Sequence, residues 1–195
     1  MILEEHQLQY GVPITLDVRN IHNLILGEVK GGGGCDIPPG LTATVGVRRD
    51  VNDNDNFAIF KQQILDFRQW MKEHSQQDKE LIITEFGILM PEELGFPEGR
   101  VTDFMHKTFD YLTTAADPDL GYPDDCYRLV QRWAWFSLNC PKKHWVCDPP
   151  PCHWTEGFNG SLFDPDTKAI TGLGISYSIY PLRMIYLPQV VKAPG

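Results

Sequence analysis

The stretch Leu81-Ile82-Ile83-Thr84-Glu85-Phe86-Gly87 decides how this chain reads. Consecutive Leu-Ile-Ile suits a short buried strand of the kind found in parallel sheets, and Gly87 marks the turn at its end. A glutamate directly after such a run stands at the carboxyl mouth of its strand, where parallel α/β folds gather their reacting groups. There it can attack an anomeric carbon, given a second carboxyl about 5 Å away as acid/base. It can equally pair with a cation or cap the following loop, as strand-end glutamates routinely do.

On the upstream side, Asn52 to Asn56 supplies several candidate N-caps, and Phe57, Phe60, Ile64, Phe67 and Met71 recur at spacings of three and four. This predicts a helix whose apolar stripe is core. Trp70 is read as a packing residue at its end. Further upstream, Ile14 to His22 alternates apolar with polar and predicts a strand, followed by the loop residues Gly31 to Gly34 and Pro38-Pro39-Gly40. Downstream, Val101, Met105, Thr108 or Phe109, and Leu112 predict a helix, Tyr127 to Gln131 a shorter one, and Trp133 to Leu138 a third strand. Asn139 to Gly160, rich in Pro, Cys, Trp and Gly, is a long loop, and Gly172 to Tyr180 a last helix.

Strand, loop, helix, strand, helix, strand, long loop, helix is the rhythm of consecutive βα units. Three strands cannot close a barrel, so the pattern fits either the last part of a barrel or an open α/β sheet. The 195 residues are fewer than the roughly 250 of a complete (β/α)₈ barrel. Met1 to Tyr10 reads as the end of a helix, as it would in a chain cut inside a crossover.

With 42% apolar and 22% charged residues the composition is that of a folded chain. A net charge of −9, with no basic cluster beyond pairs such as Arg48-Arg49 and Lys142-Lys143, argues against nucleic acid and favours neutral or cationic substrates. No apolar run approaches the roughly 20 residues of a membrane span, and Met1 to Tyr10, with Glu4, Glu5 and His6, lacks the pattern of a signal peptide.

Together, Asn20-Ile21-His22-Asn23, Leu81 to Gly87 and Trp133-Ala134-Trp135-Phe136-Ser137-Leu138, in that order and separated by a helix, resemble strands six, seven and eight of the retaining (β/α)₈-barrel glycoside hydrolase superfamily, cellulase-like members above all. The resemblance spans about Pro13 to Phe163. It implies the C-terminal part of a TIM barrel over residues 1–180, with 181–195 as a tail. It implies a carbohydrate substrate, no cofactor, and the secreted or extracellular setting common to polymer-degrading relatives.

Carried over by position, Glu85 matches the nucleophile, Asn20, His22 and Asn23 line the sugar subsite, and Trp135 or Trp133 is the aromatic platform. The acid/base of strand four has no counterpart, because no Asn-Glu sequence occurs. A chain that binds sugar without turning it over is the alternative, and an open α/β hydrolase or metal-loop protein the third reading.

Other residues carry weaker signals. Asp36, beside the glycine run, and Trp154, Glu156 and Asn159, in the long loop, are placed to face a cleft or simply the surface. Gly31 to Gly34 is a lid or a linker, since no Lys-Ser/Thr follows for a phosphate loop. Glu28 is a minor candidate for proton transfer. Cys140, His144, Cys147, Cys152 and His153 lie close together, but their spacing is no standard zinc knuckle. A local disulfide of Cys140 with Cys147 or Cys152, or free thiols, fits better. No metal is expected. Ile185 to Val191 is an apolar, β-prone tail.

Overall fold

Asn56 starts the strongest element. Its side chain accepts the Ala58 and Ile59 amides at 3.1 and 3.3 Å, capping a helix that runs Phe57–Glu73. The apolar stripe then does what its spacing predicts: Phe60, Ile64 and Met71 are fully buried, while Phe57 and Phe67 pack at the margin. Trp70 stacks on Phe67 and His74 and packs against the core.

The computed structural model describes residues 2–12, 14–31, 35–141, 145–146, 153–154 and 158–184. In chain order the helices are α1 (Ile2–Tyr10), α2 (Phe57–Glu73), α3 (Glu98–Thr114) and α4 (Gly172–Met184). The strands are β1 (Val18–His22), β2 (Glu80–Phe86), β3 (Arg132–Trp135), β4 (Trp145–Val146) and β5 (His153–Trp154). β1, β2 and β3 form an open sheet in that order, parallel throughout, and β4 and β5 form a separate antiparallel pair.

The chain is thus a mixed α/β protein with a small three-stranded parallel sheet. Both crossover helices contribute to one core on one face. Phe60 of α2 meets Phe86 of β2 at 5.5 Å between ring centres, and Phe109 of α3 meets Phe86, Trp133 and Trp135. Leu81, Ile83 and Phe86 have no exposed surface there. Burying each such side chain contributes about 1.5–3 kcal/mol relative to leaving it in water. Strand order without reversal and helices on one side leave no switch point within these three strands. On the opposite face Val18 is 42% exposed, and Asn20, His22 and Ala134 are also open to solvent.

Several elements depart from the sequence reading. β1 is shorter than Ile14 to His22, because the register begins with Val18 against Glu80, the first residue of β2, and no strand among the described residues pairs with the residues before it. β3 ends at Trp135 rather than Leu138. Tyr127 to Gln131 is not helical. Cys126 and Tyr127 both have left-handed φ, 52° and 61°, and two such residues in succession stop a right-handed helix. The Tyr127 carbonyl instead accepts the Asp117 amide at 2.9 Å.

Arg68 sits on the apolar face of α2 and is fully buried. Its Nε donates to the Leu129 carbonyl at 2.6 Å, Nη1 to the Lys79 carbonyl at 3.0 Å and Nη2 to Gln131 Oε1 at 2.6 Å. One guanidinium therefore ties α2 to the entries of β2 and β3. Burial lowers its pKa to about 10, with Asp125 opposing the shift, so it stays charged at neutral pH.

Candidate functional site

Alternation alone would send Glu85 to the core, since it follows Leu81 and Ile83 at intervals of two. The ladder prevents this. Ile21 pairs with Ile83, but the next residue, His22, pairs with Glu85, so Thr84 is the extra residue of a bulge. The Thr84 hydroxyl donates to the Ile21 carbonyl at 3.2 Å and holds the bulge in place. Phe86 returns to the core, and Glu85 turns to the open face beside His22.

There His22 Nδ1 and Glu85 Oε2 lie 3.3 Å apart, with the side chains 55% and 33% exposed. Asn20 shares the strand and face of His22 and is also exposed. A carboxylate held by an imidazole nitrogen at a strand mouth can act as a nucleophile or exchange a proton with its partner.

The backbone behind the pair is fixed on both sides. The Asn23 amide donates to the Glu85 carbonyl at 2.8 Å, and the Phe136 amide to the Phe86 carbonyl at 2.8 Å. Gly87 follows because nothing larger fits: a Cβ there would stand 2.5 Å from the Phe136 carbonyl oxygen.

Asn23 does not line the open face. It is 2% exposed, and its Nδ2 donates to the Phe60 carbonyl at 3.2 Å, locking the end of β1 to α2. Trp135 is likewise displaced from its expected role. Ile83 pairs with Trp133 and Phe86 with Trp135, so both indoles follow the core face and Ala134 takes the open one. Trp135 is 7% exposed and spends its Nε1 donor on the Gly160 carbonyl at 2.9 Å. A sugar platform needs a broad free ring face, and at that exposure Trp135 offers little, although it lines a groove beside Trp133. Trp133 is half-buried and borders a groove of about 530 Å³ between β3 and α4.

Asp36 serves its own loop: its Oδ1 accepts the Gly31 amide at 3.1 Å and the Ile37 amide at 2.7 Å. Glu28 does the same, accepting the Val47 amide at 2.8 Å. Asn159 donates to the Phe96 carbonyl at 3.0 Å and joins the loop to the entry of α3. Cys140 is a free thiol, the second of the two states expected for it, rather than part of a local disulfide. Gly32 to Gly34, His144, Cys147, Cys152, Glu156, the side chains of His153 and Trp154, and the tail from Ile185 lie outside the described residues.

Among the described residues no group of three or more His, Cys, Asp or Glu could hold a metal ion, and no helix is long and apolar enough to cross a membrane. The structure thus sets Glu85 against His22, with Asn20 two residues along the same strand face, buries Asn23 and Trp135, and leaves Asp36 bonded within its own loop. Thr84, which makes the difference, has a signal in the sequence only in hindsight: a polar residue interrupting the period that joins Leu81 and Ile83 to Phe86. Comparison with family models, with curated proteins and with solved structures returns no match for this chain.

Proposed function

We propose that this chain carries the nucleophile half of a retaining glycoside hydrolase, with Glu85 attacking the anomeric carbon and His22 orienting its carboxylate. The observation that carries this reading is the 3.3 Å contact between His22 and Glu85 on the open face at the carboxyl ends of parallel strands. Asn20 is placed to meet sugar hydroxyls on the same face.

The open face supports a barrel in particular. Parallel sheets are normally covered on both sides, and in a barrel the inner face is covered by the remaining strands. β1 and β3 are both edges, as the sixth and eighth strands are before the ring closes. In this reading the acid/base comes from polypeptide that completes the ring, since the sequence has no Asn-Glu strand.

A nucleophile without its acid can still react when the leaving group needs no proton. The test is therefore a panel of dinitrophenyl 2-deoxy-2-fluoro-glycosides incubated with this chain. Mass spectrometry is expected to find a fluoroglycosyl ester on the peptide containing Glu85, absent in Glu85→Gln. If dinitrophenolate release matches that of buffer and no ester forms, the reading fails. The lack of an Asn-Glu strand in this sequence favours a second reading, sugar binding without turnover, which the same panel separates by binding without ester formation.

A further inference from the structure

The loops that follow β1 and β2 enclose a groove of about 650 Å³, a size typical of small-ligand sites. It lies at the same end of the sheet as Glu85, because Ile25 stands three residues beyond His22 and Leu89 four beyond Glu85. Its walls combine apolar Ile25, Leu26, Leu89 and Met90 with Arg48 and Arg49.

The two arginines are unusual in this chain. Arg19, Arg68, Arg100, Arg128 and Arg132 each donate to or pair with a side-chain acceptor, as Arg100 does with Asp55 at 2.6 Å. Arg48 and Arg49 have none among the described residues. Arg49 Nη1 reaches only the Arg48 carbonyl, at 3.2 Å, and its Nε is buried without an acceptor. A buried guanidinium nitrogen without a partner is costly, and a planar carboxylate is the ligand group that satisfies it best. Asp50 and Asp53 line the same groove. Asp53 accepts the Asp50 amide at 2.9 Å, which keeps that carboxylate on its own turn. Together the aspartates suit hydroxyl donors and disfavour a ligand that is anionic all round.

We infer that this groove is a subsite for a uronic acid residue. The carboxylate sits against Arg48 and Arg49, the ring hydroxyls donate to Asp50 and Asp53, and the C–H edges lie on the apolar wall. This names the substrate class for the hydrolase proposed above and rests on that reading. The chain's charge of −9 opposes acidic polymers at long range, but that field is screened beyond about 8 Å at physiological salt, so the local arginines govern contact.

The test titrates the chain with trigalacturonate and with its methyl ester, which keeps the ring and removes the charge. Trigalacturonate is expected to bind at least tenfold more tightly, Arg49→Gln to abolish the difference, and Arg49→Lys to restore it only in part. Circular dichroism checks the fold, and exposed Arg48→Gln carries the test should Arg49→Gln unfold. Equal binding of acid and ester, no binding of either, indifference to both Arg→Gln changes, or equal competition by sulfate at matched ionic strength would each overturn the inference. Glu85 labelling without preference for the acid would retain the hydrolase and discard the uronate subsite. Preference for the acid without labelling would do the reverse.

Discussion

Thr84 and His22 are linked through the ladder: because two residues of β2, Thr84 and Glu85, face the single residue His22 of β1, the Glu85 carboxylate leaves the core side and meets the imidazole at 3.3 Å. A bulge re-aims one side chain at the cost of one ladder pair. Here that side chain is the one with the chemistry.

The bulge is held by one side-chain bond, so Thr84→Val, which preserves shape and removes the hydroxyl, is expected to cost about 1 kcal/mol. It should also slow fluoroglycoside labelling of Glu85. Urea unfolding and the labelling rate measure the two effects. Labelling at the wild-type rate would separate the bulge from the position of Glu85.

His22→Ala should leave stability within about 0.5 kcal/mol of wild type, since the pair is partly solvent-exposed and screened. The labelling rate should nevertheless fall several-fold. A large stability loss with unchanged labelling would mark the pair as structural.

Gly87→Ala places a methyl where the Phe136 carbonyl oxygen stands 2.5 Å away. The strand ends must separate to admit it, at about 1–3 kcal/mol. A lowered thermal midpoint is the expected result, and an unchanged midpoint would show that the Glu85-Phe86-Gly87 turn has slack.

Arg68→Met removes a buried charge but leaves the Leu129 and Lys79 carbonyls without their donor, while Gln131 Oε1 keeps only the Leu81 amide. A loss of about 3 kcal/mol or more is expected. Arg68→Lys should recover little of it, because an ammonium cannot span three acceptors in a plane. The comparison is read from denaturant midpoints at constant slope. Full recovery by lysine would reduce the role of Arg68 to its charge.

Trp135→Phe should destabilise by about 1–2 kcal/mol through the lost bond to Gly160 and the smaller ring, with sugar binding unaffected. If binding falls while stability holds, Trp135 is a platform after all.

What the sequence determined by itself is local. The cap at Asn56 and the stripe from Phe57 to Met71 specify α2, the Leu81-Ile82-Ile83 run specifies a buried strand, and the spacing from Val101 to Leu112 specifies α3, because each signal lies within a few residues of its effect. The order of strands and helices limits the chain to a parallel α/β arrangement. Tertiary structure decided where side chains point. Asn23 turned inward because the Phe60 carbonyl waited for its amide, and Trp135 because β3 is in register with Phe86. Arg68 entered the core because three acceptors from distant segments converge on it. Tyr127 to Gln131 lost its helix to pairing with Ala116 and Tyr122. Glu85 was legible as a strand-end carboxylate. That it faces His22 depends on one extra residue in a ladder, which only the pairing of two strands nearly sixty residues apart can define.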